Sequence, residues 1–406
     1  MTAFVLGHAG HADWRVALAR AGEQIDAAAS ALESAAAGPL TLGFVYLTDH
    51  YAAQAQAIVA ALRQRWPGLS WVGSVGVGVA AGRSEYIDAP ALALLLTSLP
   101  RGRFEVFSGA RKLQRIEPFS ALVHADPATP DLPELISEMS DRTTSGYLFG
   151  GVASSRGSAV QIADGVWRGG LSGVAFSADV AMVSRVTQGC QPVGPTRTVT
   201  ACERQIVTEL DGQPALACLL ADLALAPNSD PRAALPRLRG TLVGLTDAGS
   251  HAQAMPGQFG TDTRVRHLIG LDPSRQAVAV AEVVEPGMRL AFCQRDVQAA
   301  RRDLVRICSE IRDELESQTE PAVHGAAVAA DEAPRRMLGA LYISCAGRGG
   351  PHFGGPSAEL EILQHALAGP GRTVPLVGFF AAGEIARHHL YGYTGVLTVF
   401  TGAAGG

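Results

Sequence analysis

Cys345 closes an apolar run and is followed by Gly347-Arg348-Gly349, a spacing that exposes backbone N–H groups beside a single guanidinium. Such a place suits a carboxylate or phosphate, with Arg348 supplying paired N–H donors. The plainer alternative is a tight turn carrying a surface arginine. Glu384 stands directly after Gly383 and could accept a hydrogen bond from a ligand ammonium, so that Arg348 and Glu384 together would recognise both ends of an amino acid. It could equally brace its own turn. In the first half, Gln188, Cys190 and Arg197 offer an equivalent wall. Cys190 serves as well as an inert buried thiol, because a reactive thiolate needs a nearby cation.

Other familiar chemistries fit poorly. Gly73, Gly76, Gly78 and Gly82 follow a strand-like run, but their spacing is not G-x-G-x-x-G and no helix follows at once to receive a pyrophosphate. Ala153-Ser154-Ser155-Arg156-Gly157 approaches a hydrolase elbow, yet Ser158 to Ile162 alternates like a strand where a helix is required. His8 and His11 could share a helical face, and His388 and His389 would point in opposite directions from a strand. Neither pair has ligand company at metal spacing. The six cysteines form no C-x-x-C pair and read as small buried hydrophobes. No cofactor and no metal are expected.

These residues sit in a chain of 406 residues, 47% hydrophobic and 17% charged. That length exceeds one ordinary core and implies two domains of roughly 200 residues. The net charge of −5 comes without a basic cluster, which argues against nucleic acid. The positive charges are almost all arginine, Lys112 being the exception. The first residues lack a basic signal region, and no apolar run approaches the ~18 residues of a membrane helix. A cytoplasmic protein with no membrane contact is expected.

Asp13 can cap a helix through Trp14, Leu18, Ala21 and Ile25, which ends before Gly38-Pro39. The run Leu42 to Leu47 reads as a buried strand, Tyr51 to Leu62 as a helix and Leu69 to Val72 as a strand. The end of the chain repeats this order: strand Leu338 to Ser344, helix Ser357 to Ala366, strand Val374 to Val377. Gly73 and Gly78 correspond to Gly378 and Gly383 in that echo. Tyr147 to Gly151 and Leu242 to Gly244 are weaker echoes. An amphipathic helix spans about Asp296 to Leu315, and Glu320 to Arg336 reads as an exposed loop. The expected class is α+β, with two related modules of mixed β-sheet and packed helices, pseudo-duplicated. A boundary in the polar loop after Ala226 divides the chain into 1–228 and 229–406.

Five motifs in order resemble a known family. Leu148-Phe149-Gly150-Gly151, Gln188-Gly189-Cys190-Gln191-Pro192-Val193-Gly194, Arg295-Asp296, Ser344-Cys345-Ala346-Gly347-Arg348-Gly349, and Gly378 to Ile385 with Tyr393-Thr394 are similar to the successive motifs of FIST proteins, the name standing for F-box and intracellular signal transduction. The resemblance runs from about Leu40 to the carboxyl end and covers amino-terminal and carboxyl-terminal FIST domains. It implies a sensory module that binds a small molecule, amino acids among the candidates, and passes the signal to a separate signalling protein. It also adds Gly150, Gly151, Gly383 and Thr394 to the ligand-site residues above. Many members continue with Gly-Pro after the Gly-Glu-Ile motif, whereas Ala386-Arg387-His388-His389 follow here. Two other readings stay open: an enzyme using Cys345 or Cys190 as nucleophile with a distant His352 or His388, and a protein-interaction scaffold.

Overall fold

The apolar runs become strands buried on both faces, each followed by a helix and a second, parallel strand, as a crossover connection requires. A computed structural model describes residues 2–33, 38–225, 231–249, 259, 262–317, 335–369 and 371–403. Within them this arrangement occurs three times. The first copy comprises β1 (Phe4–Gly10), α1 (Trp14–Glu33), β2 (Leu42–Thr48), α2 (Ala55–Arg65), β3 (Ser70–Gly76), the hairpin β4 (Gly78–Ala81) and β5 (Ser84–Ile87), and β6 (Ala91–Thr97). The second lacks the first helix: β7 (Phe104–Phe107), β8 (Ser120–Ala125), α3 (Leu132–Asp141), β9 (Tyr147–Val152), the hairpin β10 (Gln161–Ala163) and β11 (Val166–Trp167), and β12 (Leu171–Phe176).

The third copy opens with β13 (Met182–Gln188) and is then interrupted by β14 (Cys190–Pro192), β15 (Arg197–Glu203), β16 (Ile206–Leu210), β17 (Gln213–Pro214), α4 (Ala215–Asp222), α5 (Pro231–Arg239), β18 (Thr241–Thr246), β19 (Arg264–Asp272), β20 (Ala277–Val280) and β21 (Arg289–Arg295). It resumes with α6 (Val297–Ser317), β22 (Arg335–Cys345), α7 (Ala358–Ala368), β23 (Leu376–Ala381), the hairpin β24 (Gly383–Ala386) and β25 (His389–Tyr391), and β26 (Thr394–Ala403). By packing, one unit holds the chain up to Thr187, Arg301–Leu390 and the chain from Thr394 on; the other holds Gln188–Ala300 with Tyr391–Tyr393.

The first unit consists of three six-stranded sheets of one design, ordered β1-β6-β2-β3-β10-β11, β7-β12-β8-β9-β24-β25 and β13-β26-β22-β23-β4-β5. In each, the hairpin on the last two places comes from another copy. β4 pairs with β23, β24 with β9 and β10 with β3, so the three copies exchange hairpins in a cycle. One glycine per copy makes the parallel pair possible. Gly73 lies opposite Val45, Gly150 opposite Val123 and Gly378 opposite Tyr342. A Cβ at these positions would fall 1.7, 1.9 and 1.6 Å from the carbonyl oxygen of that partner, so only a residue without a side chain fits.

Aromatic rings from all three copies meet in this unit. Phe400 of β26 has its ring centroid 6.0 Å from Phe44 of β2 and 5.7 Å from Phe176 of β12. Tyr46 and His124 hold equivalent positions, one residue beyond the carbonyl that faces the glycine, and the Tyr46 hydroxyl is 3.2 Å from His124 Nε2. Complete burial drives the His124 pKa down to about 3, so the imidazole is neutral.

The second unit has a different plan. Its antiparallel ladder runs from β21 through β15, β16, β20, β19 and β18 back to β21 and so closes into a six-stranded barrel. Closure removes free sheet edges. Leu216 and Leu219 of α4 join Val207, Val278, Leu290 and Phe292 in the barrel core.

The α+β class holds. The repeat seen at the two ends of the sequence extends to Tyr147–Gly151, while Leu242–Gly244 lies on the antiparallel strand β18 and is no part of it. A strand, β1, precedes the helix that Asp13 opens, so His8 sits in a sheet, with Nδ1 2.8 Å from the Tyr86 hydroxyl, and shares no helical face with His11. The boundary expected at 228 and 229, and nearly all of the loop expected at 320–336, lie outside the described residues.

Candidate functional site

Arg348 follows β22 on a tight turn, and Glu359 occupies the first turn of α7, the helix end that favours a carboxylate. Arg348 Nε and Nη2 both donate to Glu359 Oε1, at 2.9 and 2.8 Å. The Tyr342 hydroxyl donates to the same oxygen at 2.7 Å, and Ser344 Oγ donates to Oε2 at 3.0 Å. Arg348 and Glu359 are each 1% exposed. Burial works against the cation, but electrostatic contact with the Tyr342 hydroxyl and the Glu359 carboxylate holds its pKa above the usual arginine value. The guanidinium also lies 5.1 Å over the Phe353 ring.

Glu384 reaches the same region through the hairpin exchange. β24 runs antiparallel to β9, with Glu384 opposite Gly151 and Ile385 opposite Gly150. A Cβ on Gly151 would lie 2.8 Å from Ile343 and 2.9 Å from Ala381, so the close crossing of β9 and β23 needs glycine there. Glu384 is fully buried, and its Oε2 accepts hydrogen bonds from the Thr394 backbone N–H at 3.1 Å and the Thr394 hydroxyl at 2.7 Å. Burial pushes its pKa up to about 8, against the lowering effect of Thr394, the Arg348 charge and the Cys345 thiol. At neutral pH Glu384 is therefore mostly the uncharged acid.

The Arg348 charge is felt at Glu384, where it favours ionisation against the burial that opposes it. Arg348 Nη1 and Glu384 Oε1 are buried with no hydrogen-bond partner among the described residues. Buried polar atoms are nearly always satisfied, so these two stand out. Glu85 from the first copy's hairpin joins the cluster, its Oε2 accepting the Gly350 and Ser357 backbone N–H groups, both at 3.2 Å. Burial, with the nearby Glu359 charge, raises its pKa to about 7.

Cys345, Arg348, Gly383, Glu384 and Thr394 thus share one neighbourhood of the first unit, with Gly150 and Gly151 on the adjoining strand. Gln188, Cys190 and Arg197 belong to the second unit. There Gln188 Nε2 donates to the Thr263 carbonyl at 3.1 Å, and Arg197 makes a two-pronged ion pair with Asp222 at 2.6 and 2.7 Å. Cys190 lies beside Cys293, whose thiol is pushed well up by burial and by that neighbour. Burial also raises the thiols of Cys202, Cys218 and Cys308.

The sequence reading missed Tyr342, Ser344, Glu359 and Glu85. Glu359 had a usable signal: it sits four residues before Leu363 on the apolar face of α7, where a carboxylate needs a buried partner. Ser154, in the elbow-like segment, accepts the Val77 N–H at 2.9 Å and donates to the Phe380 carbonyl, which is a structural role. The rings of His388 and His389 lie 3.9 Å apart, with His388 on the turn before β25, and do not point to opposite sides of a strand. Among the described residues no group of three or more His, Cys, Asp and Glu could hold a metal ion, and no helix is long and apolar enough to cross a membrane.

Residues 41–213 match the FIST N domain and residues 215–387 the FIST C domain. The uncharacterized protein Rv0628c of Mycobacterium tuberculosis strain H37Rv is 32% identical over 395 residues, covering 92% of this chain and 95% of its own. The uncharacterized protein Mb0898c of Mycobacterium bovis is 29% identical over 395 residues, covering 93% and 94%.

Proposed function

Because the chain belongs to the FIST family, we propose that it is a non-catalytic sensor that binds a small carboxylate, an amino acid among the candidates, between Arg348 and Glu384. The pair of buried, unpartnered atoms, Arg348 Nη1 and Glu384 Oε1, carries this reading. Two of the three guanidinium nitrogens are committed to Glu359, so Arg348 offers a single free nitrogen, Nη1, and not the paired nitrogens of a two-pronged contact. With Glu384 protonated, Oε1 is a second donor, and one ligand carboxylate satisfies both. An amino acid that instead set its ammonium on Glu384 would ionise that acid and expel a proton. Both side chains are enclosed, so a ligand reaches them only when the packing around them opens.

Calorimetry at pH 7 in two buffers of different ionisation enthalpy, against a panel of amino acids and short carboxylic acids, tests this. Carboxylate binding without proton release, lost in Glu384→Ala and weakened in Arg348→Lys, is the expected result. No heat and no melting shift with any of these compounds, or binding unchanged in both variants, rejects the site. The rival thiol-enzyme reading predicts rapid iodoacetamide labelling of Cys345 near neutral pH.

A further inference from the structure

In the first and third copies a long helix covers the outer strands of the sheet. α1 buries Ala17, Leu18, Ala21 and Ile25 in one core with Val5 of β1, Leu94 of β6 and Ile58 of α2. α6 buries Leu304, Ile307, Cys308 and Ile311, its Glu310 and Glu314 pair with Arg185 of β13, and Cys308 Sγ lies 4.0 Å from a carbonyl of α7. The second copy has no such helix. β7 ends at Phe107 and β8 begins at Ser120. The short connection is pinned by buried Glu105, whose Oε2 accepts the backbone N–H groups of Gln114, Arg115 and Ile116.

What remains is a cleft of about 520 Å³ lined by Phe107 of β7, Leu171 of β12, Leu135 and Met139 of α3, and Leu113 and Ile116 of the connection. β7, β12 and α3 are the counterparts of β1, β6 and α2, the three surfaces that α1 covers. Arg111, Lys112 and Arg142 line its rim, with Glu138 the one carboxylate among the lining residues. Arg111 is held by Asp164 at 2.8 Å. The first copy shows the pairing that the second lacks: Asp26 of α1 pairs at 2.6 Å with Arg65, in the last turn of α2. Arg142 caps the corresponding end of α3, and no ion pair among the described residues engages it.

We infer that this cleft is the docking groove for an amphipathic helix of a partner protein, with acidic residues flanking its apolar stripe, seated where α1 and α6 lie in the other copies. The repeat supplies the argument for a helix, and the uncompensated Lys112 and Arg142 supply the argument for acidic flanks. This surface is separate from the Arg348 and Glu384 cluster and gives a sensor a place to hand on its signal. It stands whether or not a ligand binds there.

The probe is a fluorescein-labelled synthetic peptide with the 20-residue sequence of α1, added to the full chain and followed by fluorescence anisotropy. Binding is expected, with affinity falling about tenfold on Arg142→Glu in the protein or Asp26→Arg in the peptide, and restored when both changes are combined. Leu135→Asp, on a half-buried surface position, should abolish binding while the melting curve stays as in the parent. Carbodiimide should join a peptide carboxylate to Lys112, the sole lysine of the chain. Absence of binding, or binding indifferent to Arg142→Glu and Leu135→Asp, overturns the inference. So does decanoate binding where the peptide fails, which would make the cleft a small-ligand site, or self-association of the chain that Leu135→Asp abolishes, which would make the occupant a second copy.

Discussion

Arg348 and Glu359 illustrate what a buried ion pair demands of its surroundings. Each is 1% exposed, and Tyr342 and Ser344 complete the carboxylate's hydrogen bonds. Removing one partner strands a charge: Glu359→Leu should cost about 3–5 kcal/mol in urea denaturation. Replacing both, as Arg348→Met with Glu359→Leu, should cost much less, and a double variant as unstable as the single one would contradict this account. Glu384 makes a complementary prediction. Its folded pKa of about 8 lies above the ordinary glutamate value of about 4.5, so the native state holds a proton that the unfolded chain releases. The stability this contributes is complete below about pH 4.5 and is lost as pH rises towards 8. Glu384→Gln, which keeps the protonated shape, should flatten stability against pH across that window, and an unchanged slope would show that Glu384 is not the titrating group.

The recurring unit is a parallel strand pair whose second strand carries one glycine against its partner's carbonyl. At Gly378 a Cβ would stand 1.6 Å from the Tyr342 oxygen, and both strands are pinned on their far sides by β4 and β26. Gly378→Ala should therefore destabilise by about 3 kcal/mol or more, since neither backbone can give way. Gly102→Ala, at a position with nothing within 4 Å, is the control and should leave the melting temperature unchanged. Equal behaviour of the two variants would remove the steric explanation for the repeated glycine.

Across the whole chain, the barrel is an insertion between β13 and α6. In the first copy, three residues, His11 to Asp13, join β1 to α1 at the same point of the repeat. Replacing residues 189–296 by such a three-residue turn should leave a chain that still unfolds cooperatively, with far-UV dichroism reduced mainly in its β component. Loss of a cooperative transition would mean that the three-sheet unit depends on the inserted one.

Much of this was written locally. Double-faced apolar runs mark β2, β22 and β23 as buried strands, Asp13 caps α1 by accepting the Arg15 N–H at 2.9 Å, and the apolar stripe of α6 is visible from its spacing alone. Arg348 and Glu384 could be singled out from sequence, but a charge beside glycine at the end of an apolar run suits a tight turn as well as a ligand, and local pattern does not choose between them. What local pattern cannot specify is the partner of a hairpin. β4, β10 and β24 are short, and each pairs with a strand remote in sequence, so the cyclic exchange and the third copy emerge only when all three sheets close together. The same packing moved the outcome for the charged residues: it gave Arg348 a carboxylate from α7, buried Glu384 until it keeps its proton, and left one atom of each without a partner. Composition determines that a charge will be costly to bury, but only the assembled core decides which charge meets it.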